Sequence, residues 1–146
     1  MKSSEGGFTL LESMFVLSVF LIIASFSAFL LKPQFLFLER QQFISQLKAD
    51  ILFAQNYAIS HQTEVIIQIR PEVNSYYMKE RSKDNLILNR QIPDSITFRE
   101  GTMSLYIQFL ADGNVTKFGT FYVISGKKSY RFTFLIGKGR FYVEEE

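Results

Sequence analysis

A long apolar run from Phe8 to Leu31 constrains this chain more than any other feature, because it contains a single charged residue, Glu12. Its other polar residues carry hydroxyl groups. A helix rises about 1.5 Å per residue, so a helix over this run would cross a hydrocarbon core of about 30 Å. The sequence therefore predicts a membrane-spanning helix over residues 8–32, with an acidic residue close to its N-terminal end.

The carboxyl group of Glu12 requires a partner. A charge at the centre of a spanning helix costs about 2.5–3.5 kcal/mol on insertion scales, and less near the ends. Before Glu12, the chain offers only Lys2 as a cation. Cleavage between Gly7 and Phe8 would create an α-amino group about one helical turn before Glu12. Such an amine has an ordinary pKa of about 8 and is mostly cationic near neutral pH, so it would be a suitable partner for the carboxylate.

These residues resemble a known motif. Gly7 followed by Phe8-Thr9-Leu10-Leu11-Glu12 resembles the cleavage and methylation motif of type IV prepilins and pseudopilins, and the short polar leader Met1–Gly7 fits it. The resemblance implies that a membrane peptidase cuts after Gly7 and methylates the amine of Phe8. It also implies that Glu12 neutralises the amine of a neighbouring subunit during assembly. The alternative, an ordinary single-span anchor with a chance glutamate, explains fewer of these residues.

A second helical segment follows the apolar run. Pro33 biases Lys32 away from helical geometry, so the sequence predicts a break or kink there. Over residues 33–62 apolar residues recur at helical spacing and form one stripe, which consists of Leu36, Phe43, Leu47, Ile51, Ala54 and Ala58. A single apolar stripe is typical of an amphipathic helix that packs on other structure. We predict that this helix ends near His61.

From residue 63 to residue 146 the pattern changes to that of short strands. The predicted strands are Val65–Ile69, Tyr76–Met78, Leu86–Leu88, Ile96–Phe98, Leu105–Phe109, Val115–Phe118, Thr120–Ile124, Tyr130–Ile136 and Arg140–Val143. Short strands separated by turn residues favour antiparallel sheets. The predicted fold class is therefore α+β, with the long N-terminal helix packed on an antiparallel β domain. The resemblance implies the same pilin-like architecture.

The sequence contains little that could support catalysis or hold a cofactor. Cysteine is absent, and the single histidine, His61, lies at the predicted helix end, where a cation suits the helix dipole. Asp112-Gly113-Asn114 lacks the spacing of a calcium loop and predicts a hairpin turn. Gly137-Lys138-Gly139-Arg140 lacks the spacing of a phosphate loop and predicts a tight strand connection. We expect neither an enzyme activity nor a cofactor or metal.

A basic segment runs from Lys117 to Arg140 and contains no acidic residue. Its cations are Lys117, Lys127, Lys128, Arg131, Lys138 and Arg140, with aromatic residues between them. Cations and aromatic rings on one surface suit a nucleic-acid backbone and its bases, so these residues are a candidate DNA-binding set. The simpler interpretation is a solvated hairpin face that is balanced by Glu144–Glu146, itself predicted to be a solvated acidic tail.

A narrower resemblance concerns the second helix and the last turn. Residues 46–51 and 58–60, together with residues 137–140, resemble competence minor pilins, whose soluble domain is similar to that of the type II secretion pseudopilin GspH. The resemblance implies a structural subunit that helps to start or cap a DNA-uptake filament. The implied partners are major and minor pilins, the prepilin peptidase, the assembly platform and the membrane, with DNA as a further candidate.

The resemblance also implies a location. The subunit would sit in the cell membrane through one span before assembly and in a filament at the cell surface afterwards. Two alternatives stay open at this point. One is a minor pseudopilin of a type II secretion system, and the other is a DNA-binding module at a filament tip.

Overall fold

The computed structural model describes residues 9–83, 85–137 and 139–146, except for the side chains of residues 27–33. The chain divides into two compact units, and the boundary along the chain lies between Leu38 and Glu39. A single helix, α1 (Leu10–His61), contributes to both units. Strands follow it: β1 (Val65–Arg70), β2 (Ser75–Glu80), β3 (Leu86–Gln91), β4 (Thr97–Glu100), β5 (Tyr106–Phe109), β6 (Gly119–Ser125), β7 (Lys128–Phe134) and β8 (Phe141–Glu145).

The sequence predicts a break or kink at Pro33, and helix α1 is continuous through this residue, so the helix does not break there. A proline removes only one N–H from the helix ladder, so a helix can continue through it. No helical segment whose side chains are described is both long and apolar enough to cross a membrane. The span predicted for residues 8–32 includes Phe8 and the side chains of residues 27–32, which lie outside the described residues.

The strands form two antiparallel sheets. The first has the order β3-β2-β1-β5 and the second the order β4-β6-β7-β8. Each predicted strand but one corresponds to an observed strand, with ends that differ by a few residues. The exception is Val115–Phe118. Val115 forms an isolated bridge with Phe109, and residues 116–118 belong to no strand. This segment connects β5 in the first sheet with β6 in the second, so its backbone leaves one sheet before it joins the other.

The second part of α1 packs on both sheets. Leu47, Ile51, Ala54 and Ala58 have no exposed surface, and Phe43 is also buried, which confirms most of the predicted stripe. Leu36 is the exception, since 42% of it is exposed. The sheets add buried side chains to the same core, among them Val65, Ile67, Tyr76, Met78, Ile107, Phe109, Phe121, Phe132 and Phe134. The observed class is therefore α+β, as predicted.

Phenylalanine rings fill the core where the second sheet faces inward. Phe121 and Phe132 stack with their centroids 5.0 Å apart, and Phe134 and Phe141 stack at 5.3 Å. These residues are neighbours across β6, β7 and β8. Offset aromatic pairs contribute about 0.5–1.5 kcal/mol beyond the area that they bury. A row of such pairs lets a small sheet hold a core without tryptophan.

Two glycine turns meet at α1. Asn114 N–H donates to Asp112 Oδ1 (2.9 Å), which confirms the predicted hairpin turn, and the Gln55 side chain donates to the Gly113 carbonyl oxygen (3.0 Å). Gly139, in the predicted turn between β7 and β8, lies against the Gly113 carbonyl oxygen and the Gln55 side chain. A Cβ at Gly139 would overlap the Gly113 carbonyl oxygen and would lie 2.5 Å from Gln55 Nε2.

We expect Gly139→Ala to destabilise the protein more than Gly126→Ala does. Both glycines have a left-handed backbone, with φ +58° and +59°, but a Cβ at Gly126 would meet nothing within 4 Å. Gly126→Ala therefore tests the backbone cost alone, about 1 kcal/mol. Gly139→Ala adds an overlap with backbone, for a total of about 3 kcal/mol. Denaturant melts of both variants compare the two losses, and equal losses would contradict the close contact.

Candidate functional site

The N-terminal motif forms the capped start of α1. The backbone N–H of Glu12 donates to Thr9 Oγ1 (3.3 Å), and the N–H of Ser13 donates to the Thr9 carbonyl oxygen (3.1 Å). Threonine at the cap with glutamate three residues later has the spacing of a capping box. Glu12 lies in the first turn, where a negative charge suits the positive end of the helix dipole. Thr9 and Glu12 therefore set where the helix begins.

The two residues predicted to be cleaved and methylated precede this cap. Gly7 and Phe8 lie outside the described residues, so the pairing of Glu12 with the Phe8 amine stays a prediction. The structure does place Glu12 on the first turn of α1, close in sequence to the predicted new terminus. The cap residue, Thr9, is a feature that the sequence reasoning did not identify. Its signal was present, because threonine and glutamate three residues apart precede an apolar run.

The first part of α1 exposes a continuous apolar surface. Leu10 and Leu11 are 82% and 80% exposed. More than half of each of the following residues is also exposed: Met14, Phe15, Val16, Leu17, Phe20, Leu21, Ile22, Ile23 and Phe26. Monomeric soluble proteins rarely expose apolar patches of this extent. This surface therefore suits lipid or other apolar helices as its surroundings.

Two serines of the same segment bond to the backbone of their own helix. Ser18 Oγ donates to the Phe15 carbonyl oxygen (2.7 Å) and Ser25 Oγ donates to that of Leu21 (2.8 Å). A hydroxyl group without a partner is costly in an apolar environment. Because these hydroxyl groups bond to their own helix, they let the surface meet apolar partners at little cost.

A buried carboxylate, which the sequence reasoning did not single out, joins α1 to the first sheet. Asp50 accepts hydrogen bonds from Tyr76 Oη (2.6 Å), Arg90 Nε (3.2 Å) and Gln46 Nε2 (2.9 Å). Burial raises the pKa of the Tyr76 hydroxyl, and its bond to Asp50 raises it further. Hydrogen bonding to Asp50 also raises the pKa of Arg90. The cluster is a structural anchor, since its polar groups satisfy one another.

The end of α1 lies at His61, as predicted. The helix ends at this residue, and His61 Nδ1 lies 3.2 Å from the Tyr57 carbonyl oxygen. Its ring stacks on that of Tyr57 at 3.9 Å. An open cavity of about 680 Å³ lies nearby, lined in part by Glu64 and Arg81, and these two residues form an ion pair (2.9 Å). Among the described residues, no three acidic or histidine side chains converge as metal ligands would.

The basic segment does not form one surface. Lys128 and Arg131 lie on β7 at positions whose side chains point to opposite faces of the sheet, because they are three residues apart. Lys127 is in the turn before β7, Lys117 in the connection before β6 and Arg140 just before β8. Lys138 lies outside the described residues.

The acidic residues Glu144–Glu146 are exposed, as predicted, but Glu144 and Glu145 do not belong to a tail, so that part of the prediction is wrong. Glu144 and Glu145 belong to β8, which pairs with β7 because Phe141 and Val143 of the same strand pack on the core. Lys128 Nζ donates to Glu145 and thereby lowers its pKa. Arg131 pairs with Glu144 (2.8 Å) and Glu146 (3.4 Å), and the bond to Glu144 raises the pKa of Arg131. Glu144–Glu146 therefore balance the charge of the basic segment at two residues of β7, Lys128 and Arg131.

The N-terminal segment of the chain is similar to a known protein family. A family model described as "Prokaryotic N-terminal methylation motif" matches residues 2–28. No curated protein sequence matches the chain at a significant level. Because the family model covers the N-terminal segment alone, it bears on the motif and leaves the β domain to structural comparison.

Solved structures resemble the fold. The type IV minor pilin FimU of Pseudomonas aeruginosa is 17% identical, with a TM-score of 0.60 over 71% of this chain and 87% of its own. The minor pseudopilin EpsH from the type 2 secretion system of Vibrio cholerae is 12% identical, with a TM-score of 0.57 over 73% of this chain and 96% of its own. At these identities the likeness shows a shared fold, which is the pilin-like α+β architecture predicted above.

We expect Asp50→Ala to lower the free energy of unfolding by about 3 kcal/mol. The change leaves the buried Tyr76 hydroxyl without its acceptor and Arg90 without its ion pair, and losing one partner of a buried pair costs about 3–5 kcal/mol. Arg90 is 47% exposed, so water recovers part of this cost.

Tyr76→Phe is the matched control, because it removes one hydrogen bond to a charged group and keeps the ring. It should cost about 1.5 kcal/mol. Urea melts of both variants would test the anchor. If Asp50→Ala were no more destabilising than Tyr76→Phe, Asp50 would not join the helix to the sheet.

Proposed function

We propose that this chain is a minor pilin or minor pseudopilin, a structural subunit with no reaction of its own. The observation that carries the proposal is the combination of a methylation motif over residues 2–28 with a domain that has the fold of minor pilins. The subunit would be cut after Gly7 and methylated on Phe8 by a prepilin peptidase. It would sit in the cell membrane before assembly and in a surface filament afterwards, with other pilins and the assembly platform as partners.

Within this class we propose a competence pilus for DNA uptake. The support is the resemblance of residues 46–51, 58–60 and 137–140 to the competence minor pilin ComGD. The fold supports a pilus and a secretion pseudopilus equally, since FimU belongs to the first and EpsH to the second. The alternative is therefore a minor pseudopilin of a type II secretion system.

The proposed assembly contact is an ion pair at the start of α1. At about 4 Å and an effective dielectric constant near 20, the carboxylate of Glu12 and an amine on Phe8 attract by about 4 kcal/mol. Desolvation offsets much of this gain. A pair within one chain would ease burial and add nothing to assembly. A pair between neighbouring subunits would set their axial register, because a slip of one turn would leave both charges unpaired in apolar surroundings.

We expect the mature protein to start at Phe8 and to carry a methylated amine. Gly7 has no side chain, which suits a peptidase that must close on the backbone there. Intact-mass measurement of protein extracted from membranes tests this processing. A Gly7→Val variant serves as the control and should keep the leader. A wild-type chain that still carries Met1–Gly7 in cells with active filaments would refute the proposal.

We expect Glu12→Val to leave the protein cut, inserted and folded, and to remove it from pilin complexes. Glu12→Gln should have the same effect, because it also lacks the charge. Ser18→Ala is a control in the same helix segment and should assemble normally. The measurement is co-purification with other pilins at matched abundance. Equal recovery of partners by Glu12→Val and the wild type would show that Glu12 is not an assembly contact.

The same strains distinguish the two kinds of filament. For a competence pilus, Glu12→Val should lower DNA uptake. For a secretion pseudopilus, it should lower export of the secreted proteins and leave uptake unchanged.

A further inference from the structure

The outer face of the second sheet carries a row of side chains in register across four strands. Arg99 on β4 is opposite Tyr122 on β6, which is opposite Arg131 on β7, which is opposite Glu144 on β8. The guanidinium of Arg99 lies over the Tyr122 ring, 4.6 Å from its centroid. Two cations, Arg99 and Arg131, thus flank the Tyr122 ring on one face, and Glu144 lies at the end of the row. Neighbours along such a row lie close enough to interact directly.

The acidic residues neutralise this face from one side. Arg131 contacts Glu144 at 2.8 Å and Glu146 at 3.4 Å, and both carboxylates are about half exposed. Glu145, which lies between them, points to the other face and pairs with Lys128. Exposed ion pairs contribute little to stability and exchange readily with other ions. The contacts of Arg131 are therefore ones that an external anion could replace.

The same face holds hydrogen-bond donors that lack acceptors. Ser129 Oγ and Thr133 Oγ1 are buried atoms that have no hydrogen-bond partner among the described residues. They flank Arg131 on the outer face of β7, where Arg131 Nε lies 3.4 Å from Glu146 Oε1. Buried polar atoms usually have partners, so each exception calls for an explanation. An anion that displaced Glu144 and Glu146 from Arg131 would lie beside these two donors on the same strand and could accept from them. Phosphate suits the role, because its oxygens match the planar fork of arginine.

From this geometry we infer that the outer face of β4, β6 and β7 is a binding surface for the phosphate backbone of a nucleic acid, and that Glu144 and Glu146 occupy it as an internal competitor. Charge complementarity supports this occupant. The face presents Arg99 and Arg131 on either side of Tyr122, and both arginines would be available to phosphate once Glu144 and Glu146 are displaced. Of the six basic residues predicted above, this surface keeps only Arg131 of β7, and it adds Arg99 of β4. It does not depend on the proposed assembly contact at Glu12.

The test uses the full chain in a non-ionic detergent and a labelled single-stranded oligonucleotide, with binding measured by fluorescence anisotropy. The variant Glu144→Gln/Glu146→Gln should bind about ten-fold more tightly than the wild type at low salt. The slope of log affinity against log salt should steepen by about 0.7, because one more cation, Arg131, contacts phosphate. Arg131→Ala in the same background should remove most of the gain.

The matched control is Glu72→Gln/Asp94→Asn, which changes the net charge equally at exposed positions outside the sheets. It should change binding by less than about two-fold, since long-range charge alone is screened by salt. Thermal melts verify that each variant folds. If the double variant fails to fold, Glu146→Gln alone, at a residue beyond β8, should show a smaller gain in the same direction.

Three results would overturn the inference. The first is equal binding by the wild type and by Glu144→Gln/Glu146→Gln. The second is an equal gain in the control pair, which would assign the effect to net charge. The third is a variant that gains affinity for vesicles of anionic lipid and none for the oligonucleotide, which would assign the face to a membrane surface. Failure of this test would leave the assembly role of Glu12 unaffected.

Discussion

Burial of one apolar stripe of α1 is the contact on which the β domain depends. Leu47, Ile51, Ala54 and Ala58 lose all their exposed surface to the sheets. Each sheet has four strands and one apolar face, and neither could cover that face alone. The helix and the opposite sheet supply the cover. The two alanines matter because their small side chains let the helix backbone approach the strands closely.

Polar contacts at the edges of this stripe determine how the helix sits on the sheets. Asp50 binds Tyr76 and Arg90 of the first sheet, and Gln55 binds the turn at Gly113. Glu39 accepts from Ser95 (2.5 Å). Apolar packing is not directional, so it would tolerate small shifts of the helix. Hydrogen bonds with defined partners do not, because a shift would leave buried polar groups unpaired.

Charge is arranged differently in the two parts of the chain. In the first part of α1, one carboxylate lies in the first turn of an exposed apolar helix, a position that favours a specific cationic partner. In the β domain, opposite charges are neutralised across adjacent strands, as Arg131 and Glu144 show. A run of basic residues in the sequence therefore did not become a basic surface, because strand alternation divided it between two faces and β8 brought acids alongside.

Features that arise from local pattern could be predicted from the sequence alone. The apolar stripe, the end of α1 at His61, the turn at Asp112–Asn114 and most strands follow from periodicity and turn chemistry, which act over a few residues. The motif around Glu12 could be identified for the same reason. The loss of a strand at Val115–Phe118 and the pairing of Glu144 with Arg131 became evident only in the folded structure. Each of these depends on which distant segments become neighbours, and a pattern of nearby residues carries no information about that.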